Sequence, residues 1–245
     1  MKLIFACLAA FSCVCNMAVF SAPVFDTDII RSDAGDIKLT FLGHGTLFIE
    51  FAGNVIHIDP WTKLADYKTL PKADLVLITH EHGDHLDATA VADLRKDSTI
   101  ILCSEACLKV LPKEKALKNG ESMEAFGIKI QALPAYNIIH KRDNGEPFHP
   151  KGSGNGYLLT IGNKRILIGG DTENIDELKV LKDIDVAFLP MNLPYTMTPE
   201  MVTGLALTMK PKILYPYHFG DTDTGKLIEL LKNESAIEVR IRKMN

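Results

Sequence analysis

Apolar and polar positions along the chain fall into two kinds of stretch. In "DIKLTFLGHGTLFIEFAGNVIHIDPW" Ile37, Leu39 and Phe41 alternate with polar residues and "FAGN" supplies turn chemistry, so a hairpin opening a sheet is predicted. "ADLVLITH" is instead a continuous apolar run bounded by turn residues, the pattern of a strand covered on both faces, and "STIILCS" repeats it. Asp87 stands where an N-cap would open a helix through "ATAVADLRK", and "EACLKVL" predicts a short helix. "ESMEAFGIKIQALPA" reads as a hairpin whose last strand runs out at Pro134, and residues 137 to 156 as a long polar, glycine-rich loop. "YLLTIGNKRILIGGDTE" is a second clear hairpin, "ENIDELKVLKD" a helix, and "IDVAFLP" a strand. Thr198 and Pro199 would cap and start another helix. "KPKILYPYHFG" is a late strand ending on His218, followed by a helix through "GKLIELLKN" and a terminal strand "AIEVRIRK". The strands form two groups, each followed by helices, which predicts an α/β fold of two packed sheets with helices outside.

The first 25 residues do not belong to this pattern, because Lys2 is the only charge before Asp26 and the stretch between is almost wholly apolar or small. Residues 1–22 read as a signal peptide cleaved after Ser21, with an uncleaved anchor or lipidation of Cys13 or Cys15 as alternatives. The expected mature unit, residues 23–245, is one domain in an exported protein, periplasmic or secreted, meeting a membrane only if the first segment is retained or lipidated. Three of the five cysteines lie in that segment, and Cys103 and Cys107 read as small core residues. A net charge of −4 offers no basic stripe for nucleic acid, which leaves a small molecule as the expected partner. Oligomeric state is not written in the sequence.

The chemistry is concentrated in "LITHEHGDHLD", which holds three of the eight histidines where a buried strand gives way to a helix. His80 and His82 point the same way in extended chain and can converge on one ion. Asp84 and His85 follow at the turn and can address a second, the arrangement of two-metal hydrolases. Asp171 and His218 each end a predicted strand, where distant segments can meet at one rim. Glu81 is expected to face solvent and His57 to be structural.

"THEHGDHLD", "GGDTE" and "YPYHFG" together resemble the metallo-β-lactamase superfamily, and "FLGHGTLFIEFAGNVIHIDPW" resembles its branch of metal-dependent hydrolases similar to ascorbate-6-phosphate lactonase. The resemblance covers nearly everything after residue 22. It implies an αββα sandwich of two mixed β-sheets with a di-metal site along one edge. His80 and His82 would bind the first ion, Asp84, His85 and His218 the second, and Asp171 would bridge them. The family's third histidine for the first ion aligns with Asn137, a departure. Either Asn137 binds through its amide oxygen, or His149 of "FHPKG" or, with less support, His140 takes the place.

Two divalent ions, zinc first and manganese as the alternative, would make a bridging hydroxide the nucleophile, with Asp84 orienting the water or taking its proton. His44 and Asp59 are read as supports of the ligands or, for His44, as a substrate contact; Lys151 and Tyr195 are read as candidates to cover the pocket. The function expected is hydrolysis of a small ester, lactone or phosphodiester. The alternative is a catalytically idle metal-binding or interaction protein on the same fold, kept open by Asn137.

Overall fold

The computed structural model describes residues 25–245. The expected signal segment and its three cysteines lie outside the described residues. Each half of the chain begins with an antiparallel meander. In the first half this comprises β1 (Asp26–Ser32), β2 (Gly35–Gly43), β3 (Thr46–Phe51) and β4 (Asn54–Ile58). Then β5 (Leu75–Ile78), β6 (Ile100–Cys103) and β7 (Lys115–Ala116) are added in parallel. The second half repeats the plan with a meander of β8 (Ser122–Ala125), β9 (Ile128–Ala135), β10 (Gly154–Ile161) and β11 (Lys164–Ile168). Parallel strands β12 (Val186–Pro190), β13 (Ile213–Tyr217) and β14 (Glu238–Val239) complete it. The result is two seven-stranded mixed sheets, each with its strands in chain order. No short sequence repeat announces this doubling.

Parallel neighbours require crossovers, and α-helices supply four of the six. Helix α1 (Ala88–Leu94) joins β5 to β6, α2 (Asp176–Lys179) joins β11 to β12, α3 (Pro199–Met209) joins β12 to β13, and α4 (Thr224–Leu231) joins β13 to β14. The caps follow the sequence: the Asp87 side chain accepts from the N–H groups of Thr89 and Ala90, and Thr198 accepts from Met201 with Pro199 at the first turn.

The continuous apolar run of β5 is explained by its two buried faces. Leu75 and Leu77 point into the cluster between the sheets, with Ile130 and Ala132 of β9. Val76 and Ile78 point the other way, into a second cluster with Ala90, Val91 and Leu94 of α1. Each such side chain contributes roughly 1.5–3 kcal/mol on burial. Cys103 and Cys107 belong to this outer cluster as free buried thiols.

Three predicted elements are shorter than expected. "EACLKVL" forms only a 3-10 turn, Glu105–Lys109. In "ENIDELKVLKD" only the four residues of α2 are helical, because the chain must turn back to β12 and Asp183 adopts a left-handed φ of 56°. The terminal strand stops at Val239, beyond which Arg240 and Arg242 turn to Asp28; Arg242 Nη2 lies 2.7 and 2.8 Å from its carboxylate oxygens. The Arg240 N–H still donates to the Leu214 carbonyl at 2.9 Å, and past it ion pairing holds the chain. In the other direction, β9 continues past Pro134 to Ala135.

Candidate metal centre

The C-terminal ends of β4, β5, β9, β11 and β13 deliver Asp59, the His80–His85 segment, Asn137, Asp171 and His218 to one edge of the sandwich. Open α/β sheets place their sites at such strand ends. His44, Asp59 and His218 all take left-handed φ values, 51°, 44° and 48°, so the chain turns sharply at the moment it presents each side chain. Gly45 answers a close approach: a Cβ there would lie 2.8 Å from His85 Cε1.

Two sets of donors result, sharing one carboxylate. In the first, His80 Nε2 lies 3.1 Å from His82 Nδ1, and the carboxylate of Asp171 lies 3.2 Å from His149 Nε2 and 3.9 Å from His80 Nε2. In the second, His218 Nε2 lies 3.6 Å from Asp84 and 3.4 Å from Asp171, and His85 Nε2 lies 3.5 Å from Asp171 and 4.0 Å from Asp84. A tetrahedral ion with ligand bonds of about 2.0–2.1 Å holds adjacent donors roughly 3.3 Å apart. Five of the seven spacings lie within about 0.3 Å of that edge length. His85 Nε2, Asp171 Oδ1 and both ring nitrogens of His218 are buried without hydrogen-bond partners. Buried polar atoms are rarely left unpaired, and three of these four are donor atoms of the second set, so the residues fit bound cations.

Protonation agrees. Burial holds His80 well below the ordinary histidine range, and burial with the neighbouring His149 ring lowers His82, so both keep lone pairs for a cation. Burial opposes charge on Asp171 and Asp84, yet the histidines around them, His218 foremost, keep both carboxyls well below the usual carboxylate range. Burial also acts to depress His85, but Asp171, Asp59 and Asp84 outweigh it and raise its pKa to about 9. The same concentration of carboxylates favours a bound cation.

A cavity of about 460 Å³ opens over these donors, walled by His44, Asp84, Arg142, Phe148, Tyr195 and His218 among others.

The β-lactamase superfamily domain matches residues 38–218, which contain every donor described. A UPF0173 metal-dependent hydrolase from Pelotomaculum thermopropionicum is 32% identical over 203 residues, spanning 79% of this chain and 87% of that one. The chain belongs to the UPF0173 metal-dependent hydrolase family of the β-lactamase superfamily. Among solved structures, a protein described as a metal-dependent hydrolase from Parabacteroides distasonis ATCC 8503 is 46% identical, with a TM-score of 0.86, covering 91% of this chain and all (100%) of that one. Igni18, a metallo hydrolase from Ignicoccus hospitalis, is 25% identical with a TM-score of 0.70, covering 85% and 96%.

Not every candidate read from the sequence joins the donors of this UPF0173 protein. Asn137 does not: its Oδ1 accepts the backbone N–H and the ring Nδ1–H of His149, and its Nδ2 donates to Glu173 and to the carbonyl of Tyr195. His149 presents the third imidazole of the first set. His140 is held away, its Nδ1 and its backbone N–H both 2.7 Å from Glu173. Lys151 does not reach the cavity, because its ammonium is bound by Glu177 at 2.7 Å and by the Tyr136 hydroxyl at 3.3 Å. Tyr195 does line the cavity, and His44 donates from Nε2 to Asp84 at 3.0 Å. His57 is buried away from the donors, bound to the Pro71 carbonyl.

Asp59 lies beneath both sets. It accepts the N–H and hydroxyl of Thr79, at 2.7 and 2.6 Å, and the Nδ1–H of His85 at 2.8 Å. Thr79 Oγ1 in turn accepts from His80 Nδ1 at 3.0 Å. The hydrogen-bond pattern thus assigns His80 and His85 the tautomer whose Nε2 faces the site. Thr79, Glu173 and Arg142 were not legible from the sequence; for Thr79 the available signal was its place between the strand and His80.

Proposed function

We propose that this protein is an exported di-metal hydrolase acting on a small ester, lactone or phosphodiester. One observation carries the reading: two sets of donors, joined by Asp171, form the floor of a cavity large enough for a small substrate. His80, His82 and His149 would hold one divalent ion, and Asp84, His85 and His218 the other, with Asp171 between them. Zinc is the ion best suited to this nitrogen-rich set. Two such ions would acidify a water and draw off the negative charge that develops on the substrate.

The chain's own residues supply orientation and a proton path. The Asp84 side chain is 35% exposed, so it meets both the donors beneath it and the cavity above. It orients the attacking water and takes its proton, which then passes to the leaving oxygen as the scissile bond breaks. His44 fixes that carboxylate through its 3.0 Å bond. Support for export comes from the apolar first 22 residues, and for a small-molecule partner from the net charge of −4.

The idle-protein alternative drew its support from Asn137, and His149 supplies the donor that Asn137 lacks. Purified protein is expected to hold about two divalent ions per chain and to turn over a member of an ester, lactone and phosphodiester panel. Replacing His82 and Asp84 together by alanine should abolish that turnover. Metal-free protein from a preparation without chelators would overturn the reading.

A further inference from the structure

The geometry points to Arg142 as the residue that selects the substrate, by binding an anionic group, a carboxylate or a phosphate, on the molecule being hydrolysed. This inference rests on the hydrolase reading of the site. Arg142 lines the cavity above the donors, while another cation of this loop, Lys151, is already paired with Glu177. Among the described residues no carboxylate lies within 4.0 Å of the Arg142 guanidinium; its only side-chain hydrogen bond runs from Nη2 to the Phe148 carbonyl at 3.3 Å. A guanidinium has five N–H donors in a planar fork, so most of them remain available to a ligand in the cavity.

The hairpin that carries Arg142 is also held in place. An isolated bridge pairs Lys141 with Pro147, the Arg142 N–H donates to the Glu146 carbonyl at 2.7 Å, and Gly145 donates back to Arg142 at 2.8 Å, making a tight hairpin. Its base is pinned where Glu173 accepts the backbone N–H groups of Ile138, Ile139 and His140 at 2.7–2.8 Å. The guanidinium carbon lies 5.0 Å from the centroid of the Phe148 ring, whose next residue is His149. Arg142 and a donor of the first set are therefore fixed to the same short segment. A substrate that carries its anionic group on the fork would be positioned with its scissile bond toward the donors. A neutral ester lacks that anchor.

The test compares mono-4-nitrophenyl glutarate with 4-nitrophenyl butyrate, two esters differing in a terminal carboxylate, on zinc-loaded wild-type protein, Arg142→Gln and Arg142→Lys. Wild-type protein should favour the anionic ester in kcat/KM by about tenfold or more, the scale of one charge-assisted bidentate contact. Arg142→Gln should erase the preference and Arg142→Lys keep part of it. Calorimetric titration with glutarate and with glycerol 3-phosphate supplies a readout independent of turnover, and tells carboxylate from phosphate by which binds tighter to wild type. Arg142→Gln should weaken the tighter one by about tenfold. Unchanged ester preference together with unchanged affinity overturns the inference. If neither these esters nor any member of the ester, lactone and phosphodiester panel is hydrolysed but Arg142→Gln still weakens anion binding, the hydrolase reading fails and the anion site stands.

Discussion

The Oδ1 atom of Asn137 accepts both the backbone N–H and the ring Nδ1–H of His149, each at 2.8 Å. The residue standing at the expected ligand position instead aims the third imidazole of the first donor set. Glu173, fully buried, accepts from Asn137 Nδ2 at 3.1 Å and so anchors the aiming residue in turn. Loss of such an orienting contact costs about 10–100-fold in metal affinity. Asn137→Ala is therefore expected to weaken zinc binding by that factor in a chelator competition, while circular dichroism shows the fold retained. Wild-type affinity in the variant would remove Asn137 from this role.

Asp59→Asn should act through tautomers. If the amide oxygen keeps the Thr79 N–H, the new NH2 group faces Thr79 Oγ1 and His85 Nδ1, and His85 must move its proton to Nε2 to accept from it. That proton occupies the lone pair which faces Asp171 and Asp84. We expect zinc affinity and turnover to fall at least about tenfold. Long-range nitrogen–proton NMR of the metal-free wild type and variant at about pH 10, where the His85 ring is mostly neutral, should report the changed tautomer; an unchanged spectrum would contradict the account.

His57 gives a pH dependence separate from the site. Its ring is stacked 5.0 Å from that of Phe48 and bonded to the Pro71 carbonyl, and burial lowers its pKa to about 4. The unfolded chain protonates near 6.5, so below that pH it binds a proton the folded chain refuses, and stability falls as pH drops from about 6.5 toward 4. Between pH 7.5 and 5.0 the loss from this group is roughly 2 kcal/mol. Urea midpoints of wild type and His57→Phe should differ in their pH dependence by that amount, with the variant less acid-sensitive. Parallel curves would show that His57 is not the responsible group.

Gly170 precedes Asp171 with a φ of 65°, and a Cβ there would stand 2.6 Å from the Asn155 carbonyl oxygen. Its N–H donates to the Tyr217 hydroxyl at 2.7 Å, so the strand end has little freedom to shift. Gly170→Ala combines a left-handed side chain with backbone overlap and should cost about 2–4 kcal/mol, seen as a lower Tm by calorimetry. A Tm equal to wild type would mean the strand end yields.

Local pattern carried much of the fold into view. The alternation in β2, the continuous run of β5 and the caps at Asp87 and Thr198 were readable because each depends on a few consecutive residues and their period. The ends of α2 and β14 were not, since Asp183 and the pairing of Arg242 with Asp28 decide them from outside those periods. The site divides in the same way. His80, His82, Asp84 and His85 are close in sequence, and their spacing alone announces cation chemistry.

What only the tertiary structure decided is how separated residues share the work. Asn137 and His149 are twelve residues apart, and which of them faces Asp171 is settled by where the loop closes and where Glu173 fixes its base. Lys151 and Arg142 were equally basic on paper; one meets Glu177 and the other the cavity. Asp59 reaches His85 across 26 positions because β4 and β5 lie side by side. Residue type and spacing determine which chemistry is available to this chain. Long-range packing determines which atoms are left without a partner, and unpaired buried atoms are what make a site.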